Sequence, residues 1–349
     1  MEIRDVPVDG WQKVVHVRDD DAGLNSIISV HDATLGPACG GCRVRPYTSF
    51  DEALTDAKLL SRAMSYKNAL AGIPFGGGKA VIIADPAKDK TPEMFRAFGE
   101  ALNALGGLYY TAEDSGVTTR DLDAVREVSA YVGGIAGKGK GGNPAPFTAR
   151  GVFRGVEAAV KTKLGKAGLT GVRVSILGVG AVGMSLAEQL RKAGASLVVA
   201  DVNKAAVAHA VKNFGATAVE PDEAIAADVD VFAPCALGGA INKGSVGRLK
   251  ARIVAGAANN QLATPDMDDA LRAKSVLYAP DYVINAAGVI SVGLEILGTW
   301  SEAEMMTRID EIGPRLVAIF ERAARERRPT GAIADEMAID VIAKAKKAA

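Results

Sequence analysis

The sequence predicts an α/β protein of two domains, the second of which contains a parallel β-sheet with helices on both faces. The chain has 349 residues, and at about 150 residues per domain this length corresponds to two domains. From residue 172 onward, short β-branched runs alternate with stretches that can form helices, as is typical of a doubly wound parallel sheet. The glycine-rich residues 133–146 precede this pattern, and we expect the domain boundary there.

The composition excludes several classes of protein. Lysine and arginine together number 41, as do aspartate and glutamate, and 48% of the residues are hydrophobic. This balance excludes an intrinsically disordered chain and provides no basic surplus for nucleic-acid binding. The longest uncharged stretch, residues 174–187, is shorter than the about 20 apolar residues that cross a membrane. Because three cysteines are too few for a disulfide framework and the first residues do not resemble a signal peptide, we expect a cytoplasmic protein.

The first domain begins with a predicted antiparallel hairpin. Residues 11–18 and 24–30 are rich in β-forming residues, and the acidic segment between them ends at Gly23, as in a turn. Ser49 and Glu52 have the spacing of a capping box and predict the start of a helix. Further on, the pattern predicts a strand over residues 79–84, a helix from Thr91, a strand over residues 108–111 and a helix from Thr119.

The second domain is predicted from short strands that alternate with helices. The strands are expected over residues 172–177, 197–200, 229–232, 253–255 and 276–278. Parallel strands need crossover connections of a dozen or more residues, and the intervening helices would supply several of them. Residues 301–327 and 334–348 are also predicted to be helical.

A glycine-rich turn after the first strand of this domain predicts a dinucleotide site. Gly178, Gly180 and Gly183 form a Gly-x-Gly-x-x-Gly pattern between an apolar strand and a helix. In a Rossmann-type domain, the first glycine permits a tight turn, the second lets the backbone approach a pyrophosphate, and the third lets helix and strand pack closely. The pyrophosphate would bind at the positive end of the helix, near Ala181 and Val182.

An acidic residue at the end of the next strand predicts which dinucleotide binds. Asp201 comes about 20 residues after the glycine pattern, where a carboxylate can accept hydrogen bonds from a ribose hydroxyl and repel a 2′-phosphate. Val202 and Asn203 follow, and neither could bind such a phosphate as an arginine does. The pattern therefore predicts NAD rather than NADP. The alternative interpretation is a simple glycine turn with an aspartate that caps a helix.

Two lysines flank an apolar, glycine-rich turn in the first domain. Lys79 comes after three glycines at the start of a buried strand, and Lys67 precedes the turn. Lysines are usually solvated surface charges, but a lysine held among apolar groups near another cation has a lowered pKa and can act as a base. Lys67 could keep its charge and pair with a substrate carboxylate. The residue pattern alone leaves both the surface role and the catalytic role open.

Several motifs resemble those of one family and occur in the same order. They are residues 36–41, 67–79, 112–114, 255–261 and 279–288. Together they resemble the amino-acid dehydrogenases of the glutamate/leucine/phenylalanine/valine superfamily, and the leucine-specific members most of all. The resemblance implies reversible oxidative deamination, in which an L-amino acid, NAD and water are converted to a 2-oxo acid, ammonium and NADH.

The resemblance also implies roles for the residues around the two lysines. Lys67 would bind the substrate α-carboxylate, together with the backbone of Gly40 and Gly41. Lys79 would be the general base that activates water, and Asp114 would hold the amino group and transfer protons. These roles agree with the chemistry, because hydride leaves Cα more readily when the nitrogen is neutral.

On the cofactor side, the resemblance implies contacts with the nicotinamide end of the dinucleotide. Asn285 would contact both the substrate and the nicotinamide, and Thr148 would contact the nicotinamide amide. Ala257 and Asn259 belong to the motif at residues 255–261 and are also predicted to bind the cofactor. No metal ion is expected.

Four positions correspond to the wall of the substrate side-chain pocket. They are Cys39, Ala112, Val289 and Val292, and all are uncharged. Members specific for glutamate have a lysine at the position of Cys39, so this pocket would leave a second carboxylate unpaired. The resemblance therefore implies an apolar substrate, leucine or another branched-chain amino acid. An aromatic substrate such as phenylalanine or tryptophan is the alternative, because Cys39 is smaller than the leucine of the leucine-specific members.

The family architecture implies an N-terminal α/β substrate domain and a Rossmann-type NAD domain with a cleft between them. Residues 1–140 and a C-terminal helix over 328–349 would form the substrate domain, and residues 141–327 would form the NAD domain. Closure of such a cleft would bring the nicotinamide to Cα and expel water. The family assembles through the first domain, and we expect a homo-oligomer.

Two other interpretations compete with this one. Cys39 and Cys42 form a Cys-x-x-Cys pattern that could belong to a redox dithiol or to half of a zinc site, but no second pair of ligands has matching spacing. A non-enzymatic NAD-binding regulator would explain the glycine pattern and Asp201, but it would leave Lys67 and Lys79 without roles. An enzyme is the interpretation that uses all of these residues.

Overall fold

The computed structural model describes residues 1–134 and 143–348, and the chain divides into two units. The first consists of Met1–Gly142, Val289–Glu304 and Ala338–Ala349, and the second consists of Asn143–Gly288 and Met305–Met337. Each unit contains a six-stranded sheet with helices, which confirms the predicted two-domain α/β class. Most of the predicted boundary segment, residues 135–142, lies outside the described residues.

The sheet of the first unit contains both antiparallel and parallel pairs. Its strands are β1 (Glu2–Asp5), β2 (Lys13–Asp19), β3 (Leu24–Asp32), β4 (Ala38–Arg45), β5 (Gly76–Ile83) and β6 (Tyr109–Glu113), in the order β1-β2-β3-β5-β4-β6. Strands β2 and β3 pair antiparallel, which confirms the predicted hairpin. Strand β4 was not predicted, yet it pairs in parallel with both β5 and β6 and so joins them.

Three helices cover the two faces of this sheet. They are α1 (Phe50–Ala71), α2 (Pro92–Ala104) and α3 (Thr119–Arg126). Ala57 of α1 packs in a cluster with Val81 on one face, whereas Phe98 of α2 and Leu122 of α3 belong to a larger core on the other. Because both faces are covered, the central strands are buried on both sides.

Helix α1 begins where the sequence predicts, but its cap differs from the predicted capping box. Ser49 Oγ accepts a hydrogen bond from Glu52 N at 3.1 Å, which is the first half of the motif. The Glu52 carboxylate accepts from Thr48 N at 2.8 Å and from Thr48 Oγ1 at 2.7 Å instead of from the Ser49 backbone. The second half of the prediction is wrong, because Thr48 offers this carboxylate two donors.

The glycine triplet before Lys79 lies at the start of β5 and not in a turn as predicted. A Cβ at Gly77 would lie 2.1 Å from Ser65 N of α1. A Cβ at Gly78 would lie 2.5 Å from the ring of Tyr109. The glycines are therefore needed for close packing on both faces of a strand, a requirement that in sequence is indistinguishable from the conformational freedom of a turn.

The sheet of the second unit is parallel at every described strand pair, as predicted. Its strands are β7 (Arg173–Leu177), β8 (Ser196–Ala200), β9 (Thr217–Ala218), β10 (Val231–Pro234), β11 (Ile253–Val254) and β12 (Leu277–Tyr278), in the order β12-β11-β10-β7-β8-β9. The two-residue strand β9 was not predicted. The order reverses direction at β7, and ligands bind beyond the carboxyl ends of the strands at such a point.

Helices connect these strands. The second unit contains α4 (Ala145–Leu164), α5 (Ala181–Lys192), α6 (Lys204–Phe214), α7 (Pro221–Ala224), α8 (Asp266–Ala273), α9 (Asp281–Ile284) and α12 (Ile312–Glu326), while α10 (Ala287–Ile296), α11 (Glu302–Asp310) and α13 (Thr330–Ala348) contribute residues to both units. The single helix predicted over residues 301–327 is two helices, because Pro314 in the first turn of α12 has no N–H with which to continue α11. No helix within the described residues is both long and apolar enough to span a membrane.

The contacts divide the chain after residue 288 differently from the expected boundaries. A Cβ at Gly133 would lie 2.9 Å from Ile296 Cγ1 and 3.0 Å from Val292 Cγ1, so α10 packs on the first unit. Thr330 Oγ1 donates to Tyr278 O at 2.7 Å, so the start of α13 packs on the second. The sequence assigns these two segments the other way round, because helical periodicity does not reveal which sheet a helix covers.

Candidate active site

The two residues predicted to carry out acid–base chemistry are in direct contact. Lys79 lies on β5, Asp114 directly follows β6, and β4 lies between these strands in the sheet. Lys79 Nζ donates a hydrogen bond to Asp114 Oδ2. A Cβ at Gly41 of β4 would lie 2.8 Å from Asp114 Cβ, and one at Gly40 would lie 2.0 Å from a backbone oxygen of β5. Gly41 therefore leaves space for the Asp114 side chain, and Gly40 lets β4 lie close to the strand that carries Lys79.

Burial and neighbouring charges together set the pKa values of Lys79 and Asp114. The side chain of Lys79 is 7% exposed, and this burial lowers the pKa of its ammonium group, although the Asp114 carboxylate opposes the shift. Burial raises the pKa of Asp114, but the positive charges of Lys79 and Arg43 outweigh it and hold that pKa below its ordinary value. The site thus joins an ionised carboxylate to an amine that releases its proton more readily than a solvated lysine.

Lys67 lies near the end of α1 with a half-buried side chain. The next residue, Asn68, is fully buried and donates hydrogen bonds to Cys39 O at 3.1 Å and to Gly76 O at 2.6 Å. These bonds attach the end of α1 to β4 and β5. The structure therefore brings the helix that carries Lys67 against the strand that carries Lys79.

The predicted pocket residues are all uncharged and at least half-buried. Cys39 and Ala112 are buried, and Val289 and Val292 are half-buried on α10. A Cβ at Gly134 would lie 3.3 Å from Val292 Cγ2 and 3.8 Å from Ala112 Cβ, so these two side chains border the same space. Val289 precedes Val292 by three residues and shares its helix face.

The two cysteines of β4 do not form a dithiol pair. Both are free, and residues three apart on a strand face opposite sides of the sheet. Cys42 belongs to the core beneath α2 and α3. Burial raises the pKa of Cys39 to about 12 and that of Cys42 well above its ordinary range, so both thiols are protonated at neutral pH. Over residues 1–134 and 143–348, no cluster of three or more His, Cys, Asp and Glu side chains could hold a metal ion.

In the second unit, the predicted glycine pattern forms the turn between β7 and α5. Gly178 has a φ of +100°, which favours glycine, and a Cβ there would lie 2.7 Å from Ala236 N. A Cβ at Gly183 would lie 1.9 Å from Gly178 O, so the third glycine lets α5 pack against the end of β7. A Cβ at Gly180 would meet no described atom within 4 Å, and no side chain caps α5. The open space and the uncapped helix fit a pyrophosphate.

Asp201 supports this turn through both of its carboxylate oxygens. Val179 N donates to Oδ2 at 2.7 Å, and Asn203 N donates to Oδ1 at 2.8 Å. The cap of α6 is Asn203, whose side chain accepts from Ala205 N at 3.1 Å and from Ala206 N at 3.2 Å. Asp201 is therefore not the helix cap that the alternative interpretation required.

Three predicted cofactor residues lie together in the second unit. Asn285 is buried, and its Nδ2 donates to Asn259 Oδ1 at 2.7 Å and to Ala257 O at 3.1 Å. This bonding orients the amide of Asn285. Thr148 is half-buried on the first turn of α4, a different element.

The sequence did not point to Arg43 or Asp56, which extend the site in the first unit. Arg43 Nε lies 3.3 Å from Asp114 Oδ2, and Arg43 Nη1 donates to Asp56 Oδ2 at 3.0 Å. Assignment of residues 38–45 as a strand was the missing signal. On a strand, Arg43 shares a face with Gly41, and Gly41 faces Asp114.

The two units define a class of protein. A parallel sheet with a glycine turn, followed by an acidic residue at the end of the next strand, is a Rossmann-type dinucleotide-binding unit. The other unit contains a hydrogen-bonded pair of a buried lysine and a half-buried carboxylate, an arrangement that suits proton transfer on a small organic substrate. Together these features define a dinucleotide-dependent oxidoreductase.

Comparison with known families makes the identification specific. Residues 12–131 match the family described as Glu/Leu/Phe/Val dehydrogenase, dimerisation domain, and residues 199–349 match Glutamate/Leucine/Phenylalanine/Valine dehydrogenase. The chain belongs to this family. It is an amino-acid dehydrogenase, an oxidoreductase that deaminates amino acids with a nicotinamide cofactor.

Relatives named for different substrates match most of the chain. Leucine dehydrogenase of Geobacillus stearothermophilus is 47% identical over 339 residues, which cover 97% of this chain and 92% of that one. Phenylalanine dehydrogenase of Bacillus thermotolerans is 44% identical over 297 residues, 83% of this chain and 78% of that one. A crystal structure of L-tryptophan dehydrogenase from Nostoc punctiforme matches with a TM-score of 0.90 at 41% identity, covering 97% of each chain. The family resemblance predicted from the motifs is confirmed.

Proposed function

We propose that this chain is an NAD-dependent L-amino-acid dehydrogenase whose preferred substrate is leucine or another branched-chain amino acid. The observation that carries the proposal is the hydrogen bond between buried Lys79 and half-buried Asp114, in the same unit as the uncharged residues predicted to line the pocket. The reaction converts the amino acid, NAD and water to the 2-oxo acid, ammonium and NADH. The family resemblance implies that the reaction is reversible.

Asp114 and Lys79 divide the proton transfers between them. Ionised Asp114 accepts a proton from the substrate ammonium, so that the nitrogen lone pair helps to expel hydride from Cα. Lys79 in its neutral form then removes a proton from the water that attacks the resulting iminium carbon. The lowered pKa of Lys79 supports this role, because a base must be unprotonated near the working pH.

Lys67 is proposed to bind the substrate α-carboxylate through its ammonium group, assisted by the backbone of Gly40 and Gly41. Its half-buried position supports a binding role rather than that of a fully solvated surface charge. A fixed cation that takes no part in the reaction orients Cα without competing for protons.

NAD is proposed as the cofactor; when bound, its nicotinamide accepts the hydride. The backbone around Gly180 and the first residues of α5, Ala181 and Val182, would hold the pyrophosphate. Asp201 would accept hydrogen bonds from the adenosine ribose, and its charge would repel the 2′-phosphate of NADP. Val202, which is 86% exposed, offers an apolar surface beside that carboxylate.

Asn285 and Thr148 are proposed to orient the nicotinamide end. The Asn285 amide is already held by Asn259 and Ala257, which supports a role that depends on a fixed direction. Thr148, on the first turn of α4, offers a hydroxyl to the nicotinamide amide.

The uncharged pocket supports an apolar substrate. A glutamate side chain among Cys39, Ala112, Val289 and Val292 would lose hydration without gaining a cation, at a cost of several kcal/mol. The leucine dehydrogenase that is 47% identical favours leucine. Phenylalanine is the second candidate, and the small side chain of Cys39 is the observation that favours it.

We further propose that the protein is a homo-oligomer of the cytoplasm. The match of residues 12–131 to a family described as a dimerisation domain supports the assembly. The free cysteines support a reducing compartment.

The function is tested by NADH formation with each standard L-amino acid at a fixed NAD concentration. Leucine, valine or isoleucine is expected to give the highest kcat/KM, and glutamate to give almost none. The highest value with glutamate would contradict the pocket assignment, and no turnover with any amino acid would contradict the proposed reaction.

A further inference from the structure

Arg43 contacts the proposed proton-transfer pair but has no role in the reaction described so far. Its Nε lies 3.3 Å from Asp114 Oδ2, the oxygen that accepts the hydrogen bond from Lys79. Within the described residues this buried Nε makes no hydrogen bond. At this oxygen Arg43 therefore contributes positive charge, while Lys79 contributes the directed bond.

A second carboxylate holds the guanidinium from the other side. Arg43 Nη1 donates to Asp56 Oδ2 at 3.0 Å, and Tyr47 Oη donates to the same oxygen at 2.6 Å. The side chains of Arg43 and Asp56 are 21% and 22% exposed, so solvent screens their charges only in part. Since Asp56 lies on α1 and Arg43 on β4, these bonds fix the guanidinium between helix and sheet.

We propose that Arg43 is a positioning residue that acts through its charge on the Asp114 carboxylate, so that Lys79, which bonds the same oxygen, is free to act as a base. This inference rests on the proposed function, in which Lys79 is the base. Two cations contact one oxygen of this carboxylate, and a guanidinium does not give up its proton in proteins. The amine of Lys79 is therefore the group that loses one.

The charges around each group set the direction of the expected effect. Burial and the charge of Arg43 lower the pKa of Lys79, and the charge of Asp114 raises it. The nearby Cys42 thiol is protonated at neutral pH and adds no charge. Arg43 itself faces Asp114, Asp56 and Tyr47. Without Arg43, the full charge of Asp114 would stabilise the Lys79 ammonium group, and the pKa of Lys79 would rise. Since the base must be unprotonated, the rising limb of the pH–rate profile would move to higher pH.

The test is the pH dependence of kcat/KM for oxidative deamination of leucine at saturating NAD, which reports ionisations of the enzyme–NAD complex and of free leucine. Arg43→Gln and Arg43→Met are expected to move the midpoint of the rising limb upward by about one pH unit. Arg43→Lys keeps the charge, and we expect it to shift the midpoint by less than half as much as Arg43→Gln does. The substrate amine titrates identically in every assay, so differences between variants belong to the protein.

Arg45 provides a matched control on the same strand. It lies two residues beyond Arg43, is 55% exposed and pairs with Glu52 at 3.3 Å. Arg45→Gln removes the same charge from β4 without touching Asp114, and we expect it to keep the wild-type midpoint. A shift in this variant equal to that of Arg43→Gln would show that the effect is a general surface charge and would overturn the proposal.

Two further outcomes would also overturn it. The first is a wild-type midpoint in both charge-removing variants, even with a reduced rate, because a packing role would lower the rate alone. The second is a shift in Arg43→Lys as large as that in Arg43→Gln. If Arg43→Gln does not fold, the same measurement is made on Arg43→Met, whose side chain is apolar over more of its length than that of glutamine. A failure of the proposed function can be distinguished from these outcomes, because the Lys79→Ala variant would then retain turnover.

Discussion

The carboxylate of Asp201 accepts a hydrogen bond from the backbone N–H of Val179 at 2.7 Å, so the end of β8 holds the glycine turn that follows β7. Val179 lies between Gly178 and Gly180, the two glycines that shape this turn. A residue proposed to select NAD thus also sets the conformation of the backbone proposed to hold the pyrophosphate. The proposed cofactor selection and the geometry of the turn would therefore be coupled through one side chain.

Asp201→Asn is expected to raise the KM for NAD about tenfold, equivalent to about 1.4 kcal/mol, and to lower the preference for NAD over NADP. The amide keeps an acceptor for Val179 but loses the charge that repels a 2′-phosphate. Ratios of kcat/KM for the two cofactors measure the change. Asp222→Asn is the control, since this exposed carboxylate pairs with Arg248 elsewhere in the same unit. An unchanged NAD/NADP ratio would contradict the ribose assignment.

Lys79→Ala is expected to lower kcat by a factor of about 100 to 10,000 while leaving NADH binding nearly intact, because it removes the proposed base. Turnover is followed by NADH absorbance and binding by NADH fluorescence. Lys90→Ala is the matched control, because Lys90 forms a similarly shielded ion pair with Asp121 at 2.6 Å in the same unit. Near-normal turnover of the Lys79 variant would remove the base assignment.

Gly77→Ala is expected to destabilise the protein by about 1–3 kcal/mol, because the new Cβ would lie 2.1 Å from Ser65 N of α1. Denaturant unfolding followed by circular dichroism measures the change. Gly168→Ala is the control, since a Cβ at this exposed glycine would meet no described atom within 4 Å. Equal stabilities of the two variants would show that α1 does not need the close approach to β5.

Cys39→Leu is expected to lower kcat/KM for phenylalanine and tryptophan about tenfold relative to leucine, because a larger side chain would narrow the proposed pocket. The three amino acids are compared on the same enzyme preparation, so leucine serves as the internal reference. A uniform loss on all three substrates would indicate that Cys39 supports the fold without lining the pocket.

Local sequence patterns predicted much of the fold and part of the candidate site. The glycine pattern from Gly178 to Gly183 predicted a strand, a turn and a helix, and β7 and α5 lie there. Acidic turn residues ending at Gly23 predicted the β2–β3 hairpin. Such signals succeed because a turn or a hairpin is specified by neighbouring residues. The pattern predicted residues 301–327 as helical without the break between α11 and α12, because the helical periodicity outweighed the single Pro314.

The role of the glycines in the first unit could be recognised only in the tertiary structure. Gly77 and Gly78 were assigned to a turn because glycine commonly provides conformational freedom, whereas here it provides space for α1 and Tyr109. The same ambiguity concealed β4, in which Gly40 and Gly41 interrupt a strand pattern. Without β4, no sequence pattern connects Arg43 to Asp114.

By itself, the sequence determined the family, the two α/β domains, the dinucleotide turn and the two lysines, since these depend on residue types at short, regular spacings. Only the tertiary structure decided that Lys79 contacts Asp114 and that α10 packs on the first unit. It also decided that Arg43 contacts the carboxylate of Asp114 while it donates a hydrogen bond to Asp56. These contacts join segments far apart in the chain. They follow from strand order and register, which depend on packing throughout the fold and have no local signature in the sequence.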